Sequence, residues 1–93
     1  MTFTVIWRPS AEQKLAEIWT NVDDRQAITD AADAIDVMLR TQPTEVGESR
    51  VANVRILTVT PLSVYYDVRQ HDLLVAVWAV WRSRRRDQTA NGF

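Results

Sequence analysis

A chain of 93 residues, with 46% hydrophobic and 25% charged residues, has the composition of one small globular domain and leaves no room for a second. It contains no cysteine, which excludes disulfides and thiolate metal sites, and its net charge of −1 argues against strong non-specific attraction to nucleic acid. Its start lacks the pattern of a signal peptide, and no apolar run approaches the roughly 20 residues that a membrane helix needs. We therefore expect a cytoplasmic protein with no membrane partner.

Acidic and basic residues are separated along the chain, and Lys14 is the only lysine. The acidic group comprises Asp23, Asp24, Asp30, Asp33 and Asp36. The basic group comprises Arg50, Arg55, Arg69, Arg82, Arg84, Arg85 and Arg86. Clustered arginines indicate an anionic partner, whereas the charge of the whole chain does not. The charge of the chain therefore leaves the nature of the partner open.

The first half of the sequence predicts a strand and two helices. Residues 3–8 alternate between two faces, which indicates a strand. Ser10 is expected to cap the first helix and Asp23 the second, because each is followed by a glutamine at the third position. Pro43 is expected to end the second helix. Apolar residues recur at helical spacing, as Ala11, Leu15 and Ile18 in the first helix and as Ile28, Ala32, Ile35 and Leu39 in the second.

The second half predicts a loop over residues 41–49, three strands and a tail. The strands cover residues 53–59, 62–69 and 73–81, and short turns at Thr60-Pro61 and at residues 70–72 suit hairpins. The last strand is apolar on both faces, which predicts a position inside the sheet. Residues 87–93 lack a pattern, so we expect a single domain over residues 1–86 followed by a disordered tail.

Register decides which residues face the helices. If the apolar residues of the two middle strands are to lie on one face of the sheet, the turn around Pro61 must contain an odd number of residues. Arg55 is then expected on the uncovered face, near Tyr65 and Asp67. The helix-covered face would carry Val54, Ile56, Val64, Tyr66 and Val68. The predicted fold is α+β, with the order β-α-α-β-β-β and a helical hairpin packed on one face of a four-stranded, mainly antiparallel sheet.

This order of elements resembles the RelE/ParE superfamily of toxins from type II toxin–antitoxin modules, which includes plasmid-stabilisation proteins. The resemblance is carried by the stretches "FTVIWRPSAEQKLAEIW", "GESRVANVRILTVTPLSVYYDV" and "LLVAVWAVWRSRRR". It implies a toxin that a co-encoded antitoxin neutralises by wrapping around it. It also implies one of two mechanisms: RelE-like toxins cleave messenger RNA on the ribosome, and ParE-like toxins poison DNA gyrase without the ribonuclease residues.

RNA cleavage of this type needs a base for the 2′-hydroxyl, an acid for the leaving group and cations for the developing charge. The resemblance makes Arg55 and Arg82 candidates for phosphate contact, and Tyr65 is a candidate proton donor on the uncovered face. The expected lysine is missing, and no tyrosine or histidine follows Arg82. His71, the only histidine, falls in a predicted turn at the other end of the last strand. The ribonuclease mechanism therefore lacks its usual acid and base.

The arginines at the chain end are the second candidate site. Arg84, Arg85 and Arg86, with Arg50 and Trp81, are expected to bind nucleic acid or an acidic antitoxin. Arg55 has an alternative role in a cross-strand ion pair with Asp67. The acidic second helix is interpreted as a solvated face, and no metal site or cofactor is expected. The functions left open are ribosome-dependent RNA cleavage, gyrase inhibition, and a non-toxic, non-catalytic protein-binding module.

Overall fold

A computed structural model describes residues 2–83, and within this range the chain forms two helices and five strands. Arg84, Arg85 and Arg86 and the predicted tail at residues 87–93 lie outside the described residues. In chain order the elements are β1 (Thr4–Trp7), α1 (Pro9–Asn21), α2 (Arg25–Thr41), β2 (Glu48–Ser49), β3 (Val54–Val59), β4 (Leu62–Arg69) and β5 (Leu74–Arg82). None of the described helices is long and apolar enough to cross a membrane.

The strands form one mixed sheet in the order β1-β5-β4-β3-β2. β1 pairs with β5 in parallel, and the other neighbours are antiparallel. The α+β class is as predicted, but the sheet has five described strands rather than four. The additional strand is β2, which lies in the segment predicted as a loop and pairs Glu48 with Ile56 and Ser49 with Arg55. Two polar residues are too short a run to produce an alternating pattern.

Both helix starts differ by one or two residues from the prediction. α1 begins at Pro9, and Arg8 stands at the N-cap position without a side-chain bond. Proline suits the first turn because its missing N–H would have no helical acceptor there. Asp24, not Asp23, caps α2, and its carboxylate accepts a hydrogen bond from the Ala27 N–H at 3.0 Å. α2 ends at Thr41, just before Pro43, as predicted.

The two helices cover one face of the sheet and form the core with it. The predicted stripe of α2 is confirmed for Ile28, Ile35 and Leu39, which are buried. They meet fully buried side chains of the two central strands, namely Leu62, Val64, Tyr66, Val75 and Val77. Each such aliphatic side chain contributes about 1.5–3 kcal/mol when removed from water. β5 lies inside the sheet as predicted, because it pairs with β1 on one edge and with β4 on the other.

The predicted register of β3 and β4 is wrong. Only Thr60 and Pro61 separate the strands, so the turn holds two residues rather than an odd number, and Val59 lies opposite Leu62. Arg55 consequently lies opposite Tyr66, and Ile56 lies opposite Tyr65. Directly opposed residues share a face. Arg55 therefore lies on the helix-covered face, where the prediction had put Ile56.

Candidate functional site

Arg55 and Tyr66 form a clamp on the loop that follows α2. The Arg55 guanidinium donates from Nε and Nη2 to the Val46 carbonyl oxygen at 3.3 and 3.0 Å, and from Nη2 to the Gly47 oxygen at 3.3 Å. The Tyr66 hydroxyl lies 2.8 Å from the Pro43 carbonyl oxygen and 3.0 Å from that of Val46. Burial raises the pKa of the Tyr66 phenol above its ordinary value of 10.0, and the nearby Arg55 guanidinium opposes this rise.

Gly47 permits this clamp. Its φ is +71°, in the left-handed region that favours glycine. A Cβ atom at this position would lie 2.5 Å from the Ile56 carbonyl oxygen and 3.0 Å from the Tyr66 hydroxyl. The loop can approach β3 and Tyr66 this closely because the side chain is absent. Arg55 and Tyr66 therefore hold the loop backbone in place, which is a structural task.

The register places Asp67 on the opposite face from Arg55, and it separates the two residues of the predicted ion pair. Asp67 lies opposite Val54 on β3 and Ala76 on β5. Ion pairs among residues 2–83 join Arg40 to Asp36 at 3.0 Å and Arg50 to Glu48 at 3.9 Å. Neither involves Arg55 or Asp67, so the cross-strand pair that the sequence offered as an alternative role for Arg55 is not formed among these residues.

The face of the sheet away from the helices carries an aromatic row of Trp78, Tyr65 and Trp81. The Tyr65 ring stacks on Trp78 with centroids 5.2 Å apart and planes 17° apart, and it meets Trp81 at 4.9 Å and 53°. The pairing of β4 with β5 shifts by one residue between Tyr65 and Tyr66, because Trp78 is the extra residue of a bulge. The bulge allows two tryptophans three positions apart to share one face.

Asp67 lies beside this row and has an unpaired oxygen. Its Oδ1 atom is buried and has no hydrogen-bond partner among the described residues. Ala76, directly opposite Asp67, is in turn paired with Ile6 of β1, and Ile6 is 43% exposed. The uncovered face thus combines exposed apolar and aromatic side chains with one carboxylate oxygen that has no partner among residues 2–83. Sequence analysis had weighed Asp67 only as a partner of Arg55.

The remaining candidates are dispersed. Arg82 ends β5 opposite Leu62 and is exposed, whereas Arg50 is exposed near β2 beside Glu48. Trp81 and Tyr65 are in contact, as members of the aromatic row. His71 lies exposed in the turn between β4 and β5, at the far end of β5 from Arg82. No cluster of three metal-ligating side chains occurs among residues 2–83.

A groove of about 660 Å³ runs between α1 and α2. Its rim carries Glu12, Asp33 and Asp36, so part of the acidic face of α2 borders an apolar concavity rather than open solvent. Trp19 on its edge is 43% exposed and donates from Nε1 to the Thr29 hydroxyl at 3.3 Å. The apolar floor and walls are formed by Trp7, Leu15, Ala16, Trp19, Ile28 and Ala32. We call this feature the helical groove.

Solved structures share this fold at low sequence identity. The RelBE2 toxin–antitoxin complex from Mycobacterium tuberculosis contains a chain with a TM-score of 0.71 and 16% identity, covering 88% of this chain and 92% of its own. A chain of the chromosomal ParDE system from P. aeruginosa has a TM-score of 0.71 and 18% identity, and the match covers 89% of this chain and 98% of that one. The isolated RelE toxin of E. coli has a TM-score of 0.67 and 12% identity, and the match covers 97% of this chain and 94% of that one.

A family model identifies the group within this fold. The model of the ParE toxin of the type II toxin–antitoxin system parDE matches residues 5–87 of the chain. A search of curated protein sequences found no match to this chain. The matched range spans every described strand and helix but for the first residue of β1. The chain therefore belongs to the ParE toxin family, and it is the toxin of a type II toxin–antitoxin module.

Proposed function

We propose that this toxin inhibits growth by binding DNA gyrase and does not cleave RNA. The observation that carries the proposal is the distribution of proton-transferring and basic groups around the uncovered face of the sheet. Tyr65 is packed between two tryptophans there, and Arg55 is on the other side of the sheet. Arg55 is therefore not on the face that the ribonuclease interpretation required, whereas Tyr65 is on that face but is packed against both tryptophan rings.

A ribonuclease would need a base near its 2′-hydroxyl and an acid near its leaving group. The whole sequence contains one lysine and one histidine. Lys14 lies on α1, and His71 lies in the turn between β4 and β5. Arginine remains protonated and is a poor base. Among the described residues, the uncovered face therefore carries neither a lysine nor a histidine for general acid–base catalysis.

A protein target agrees better with the surface and with the family. ParE-like toxins, which this chain resembles, poison DNA gyrase, and the match to the ParE family supports that target over the ribosome. The net charge of −1 points the same way, since binding to ribosomal RNA gains from a basic surface. The aromatic row adds the kind of side chains that dominate protein–protein interfaces.

Exposed Arg82 favours RNA cleavage as a second candidate function. It ends β5 opposite Leu62, and an exposed arginine there is suited to bidentate contact with a phosphate. A single arginine binds a phosphate without supplying the acid or the base. We therefore rank this function below gyrase binding.

We further propose that a cognate antitoxin silences the toxin at the helical groove. The M. tuberculosis RelBE2 and P. aeruginosa ParDE neighbours come from toxin–antitoxin systems. An apolar floor with Glu12, Asp33 and Asp36 on its rim is complementary to an amphipathic helix that carries lysine or arginine beside its apolar face. Such a partner would also cover the exposed ring of Trp19.

The test is induced expression of the chain alone, with growth, RNA 5′ ends and DNA breaks followed together. We expect growth arrest with DNA breaks and no new 5′ ends, and we expect purified chain to inhibit gyrase supercoiling. Tyr65→Phe serves as the matched control, because it removes only a hydroxyl and should leave the arrest unchanged. New 5′ ends inside translated messages that disappear in Arg82→Ala would contradict the proposal. Normal growth at verified expression would identify a non-toxic binding module instead.

A further inference from the structure

We propose that the uncovered face of the sheet binds an arginine or lysine side chain of the toxin's protein target, with Asp67 as counter-ion and the aromatic row as the adjoining wall. This inference rests on the proposed function, because it assumes that the target is a protein. It goes further in naming the residue chemistry that the target must present.

The carboxylate of Asp67 is the first observation. Its Oδ1 atom is buried without a hydrogen-bond partner in the part of the chain that the structure describes. The residues directly opposite are Val54 and Ala76, which offer no side-chain donor. Arg69, two positions along β4 on the same face, is exposed and forms no ion pair with Asp67 among residues 2–83. A buried carboxylate oxygen without a donor is poorly satisfied in the free toxin and favours a cationic partner.

The surroundings of Asp67 determine which cation fits. A metal ion would need further ligands, and residues 2–83 contain no group of three metal-ligating side chains. The neighbours are instead aromatic and apolar: Tyr65 lies two positions away on the same face, stacked on Trp78, and Ile6 lies beyond Ala76. Arginine and lysine combine a charged head with an apolar stem, and both bind well against tryptophan and tyrosine rings.

The exposure of the same face is the second, independent observation. Trp78 is 37% exposed and Ile6 is 43% exposed, although both are large apolar side chains on a sheet face that the described helices do not cover. Exposed aromatic side chains are enriched at the centre of protein interfaces, and arginine is the charged residue that is enriched there with them. Charge complementarity therefore selects a basic partner residue flanked by apolar ones, whereas the acidic rim of the helical groove belongs to a different surface.

The test uses the purified full chain and two short peptides of the sequence Leu-X-Leu, in which X is arginine or its neutral isostere citrulline. Binding is followed by the NMR shifts of Asp67 and Ala76 and of the Trp78 indole. We expect the arginine peptide to bind roughly tenfold more tightly than the citrulline peptide, as a charge-assisted bond requires. Asp67→Asn should remove this difference, and the matched control Asp72→Asn, in an exposed turn, should retain it. Equal binding of both peptides, or no shift up to millimolar concentration, would overturn the proposal.

Two further measurements separate this inference from the proposed function. Trp78→Leu should weaken the arginine peptide several-fold, so the inference stays testable even if Asp67→Asn does not fold. In the gyrase assay, Asp67→Asn should reduce inhibition at least tenfold and Asp72→Asn should not. Gyrase inhibition that is intact in folded Asp67→Asn would overturn the inference alone, whereas a wild-type chain that does not inhibit gyrase would overturn the proposed function. Self-association that Asp67→Asn abolishes would also overturn the inference, because a second copy would then be the occupant.

Discussion

The two faces of the sheet carry polar residues in different states. On the helix-covered face, Arg55 and Tyr66 are bonded to the carbonyl oxygens of one loop. On the uncovered face, Asp67 has an oxygen without a partner in the described part of the chain, beside Tyr65 and its two tryptophans. Neighbouring residues of β4 thus differ in role: Tyr66, with Arg55 of β3, stabilises the fold, whereas Tyr65 and Asp67 lie on the face for which we propose a protein partner.

The difference shows why a charged residue cannot be assigned a role from its charge alone. Arg55 is the kind of residue that binds phosphate, but its donors are directed at backbone carbonyls. Asp67 is the kind of residue that is solvated on a sheet, but one of its oxygens is buried and finds no donor within residues 2–83. Hydrogen-bond satisfaction, rather than residue type, separates the structural group from the functional candidate.

The largest expected effect comes from truncating the two adjacent tyrosines. Tyr66→Ala removes a fully buried ring and its bonds to the loop, so the free energy of unfolding should fall by about 3–5 kcal/mol. Tyr65→Ala removes a half-buried ring with exposed neighbours and should cost about 1–2 kcal/mol. Urea unfolding followed by circular dichroism measures both. An equal loss of unfolding free energy in the two variants would show that Tyr66 does not stabilise the fold more than Tyr65 does.

An intermediate effect is expected at Arg55. Arg55→Ala leaves the Val46 and Gly47 carbonyl oxygens with fewer donors and should lower the free energy of unfolding by about 1–3 kcal/mol. Growth arrest should persist at temperatures where the variant is folded. Arg50→Ala is the control: it removes an exposed arginine in a loose ion pair and should change stability by less than about 0.5 kcal/mol. A stable Arg55→Ala chain without toxicity would restore the functional role predicted from the sequence.

The smallest effect concerns alkaline pH. Burial raises the folded-state pKa of Tyr66 above 10.0, so the folded chain holds this proton more tightly than the unfolded chain does. The associated stability is complete below about pH 10 and is lost as the pH rises through the folded-state pKa. The stability gap between wild type and Tyr66→Phe should therefore narrow from about pH 8 to about pH 11. A free-energy difference between wild type and Tyr66→Phe that stays constant over this pH range would contradict the prediction.

The parts of the fold that sequence analysis predicted correctly are those with a strong repeating pattern. The stripe of Ile28, Ile35 and Leu39 identifies α2, and the long apolar run of β5 identifies an internal strand. The register of β3 was not predictable in this way because "NVRILTV" presents apolar residues on both faces. Alternation puts Leu57 and Val59 on the same face as Arg55, and the prediction assigned the opposite set, Val54 and Ile56, to the core.

The uncovered face was predicted only in part. Tyr65 was placed on it by strand alternation, and Trp81 was singled out beside Arg82. Trp78 and Trp81 are three positions apart, which in a regular strand puts them on opposite faces. The bulge at Trp78 reverses this rule, and no residue pattern marks it in the sequence. The unpaired oxygen of Asp67 depends on three strands packing together, so it requires the structure.

The parallel pairing of β1 with β5 has a consequence for synthesis. The first strand of the chain finds its only described neighbour in the last strand, where Thr4 lies opposite Leu74 and Trp7 opposite Val77. A nascent chain that has not yet released β5 from the ribosome cannot complete its sheet or bury the apolar face of α1 against that strand. The uncovered face, with Trp78 and Trp81 on that same strand, is therefore assembled only after β5 has left the ribosome.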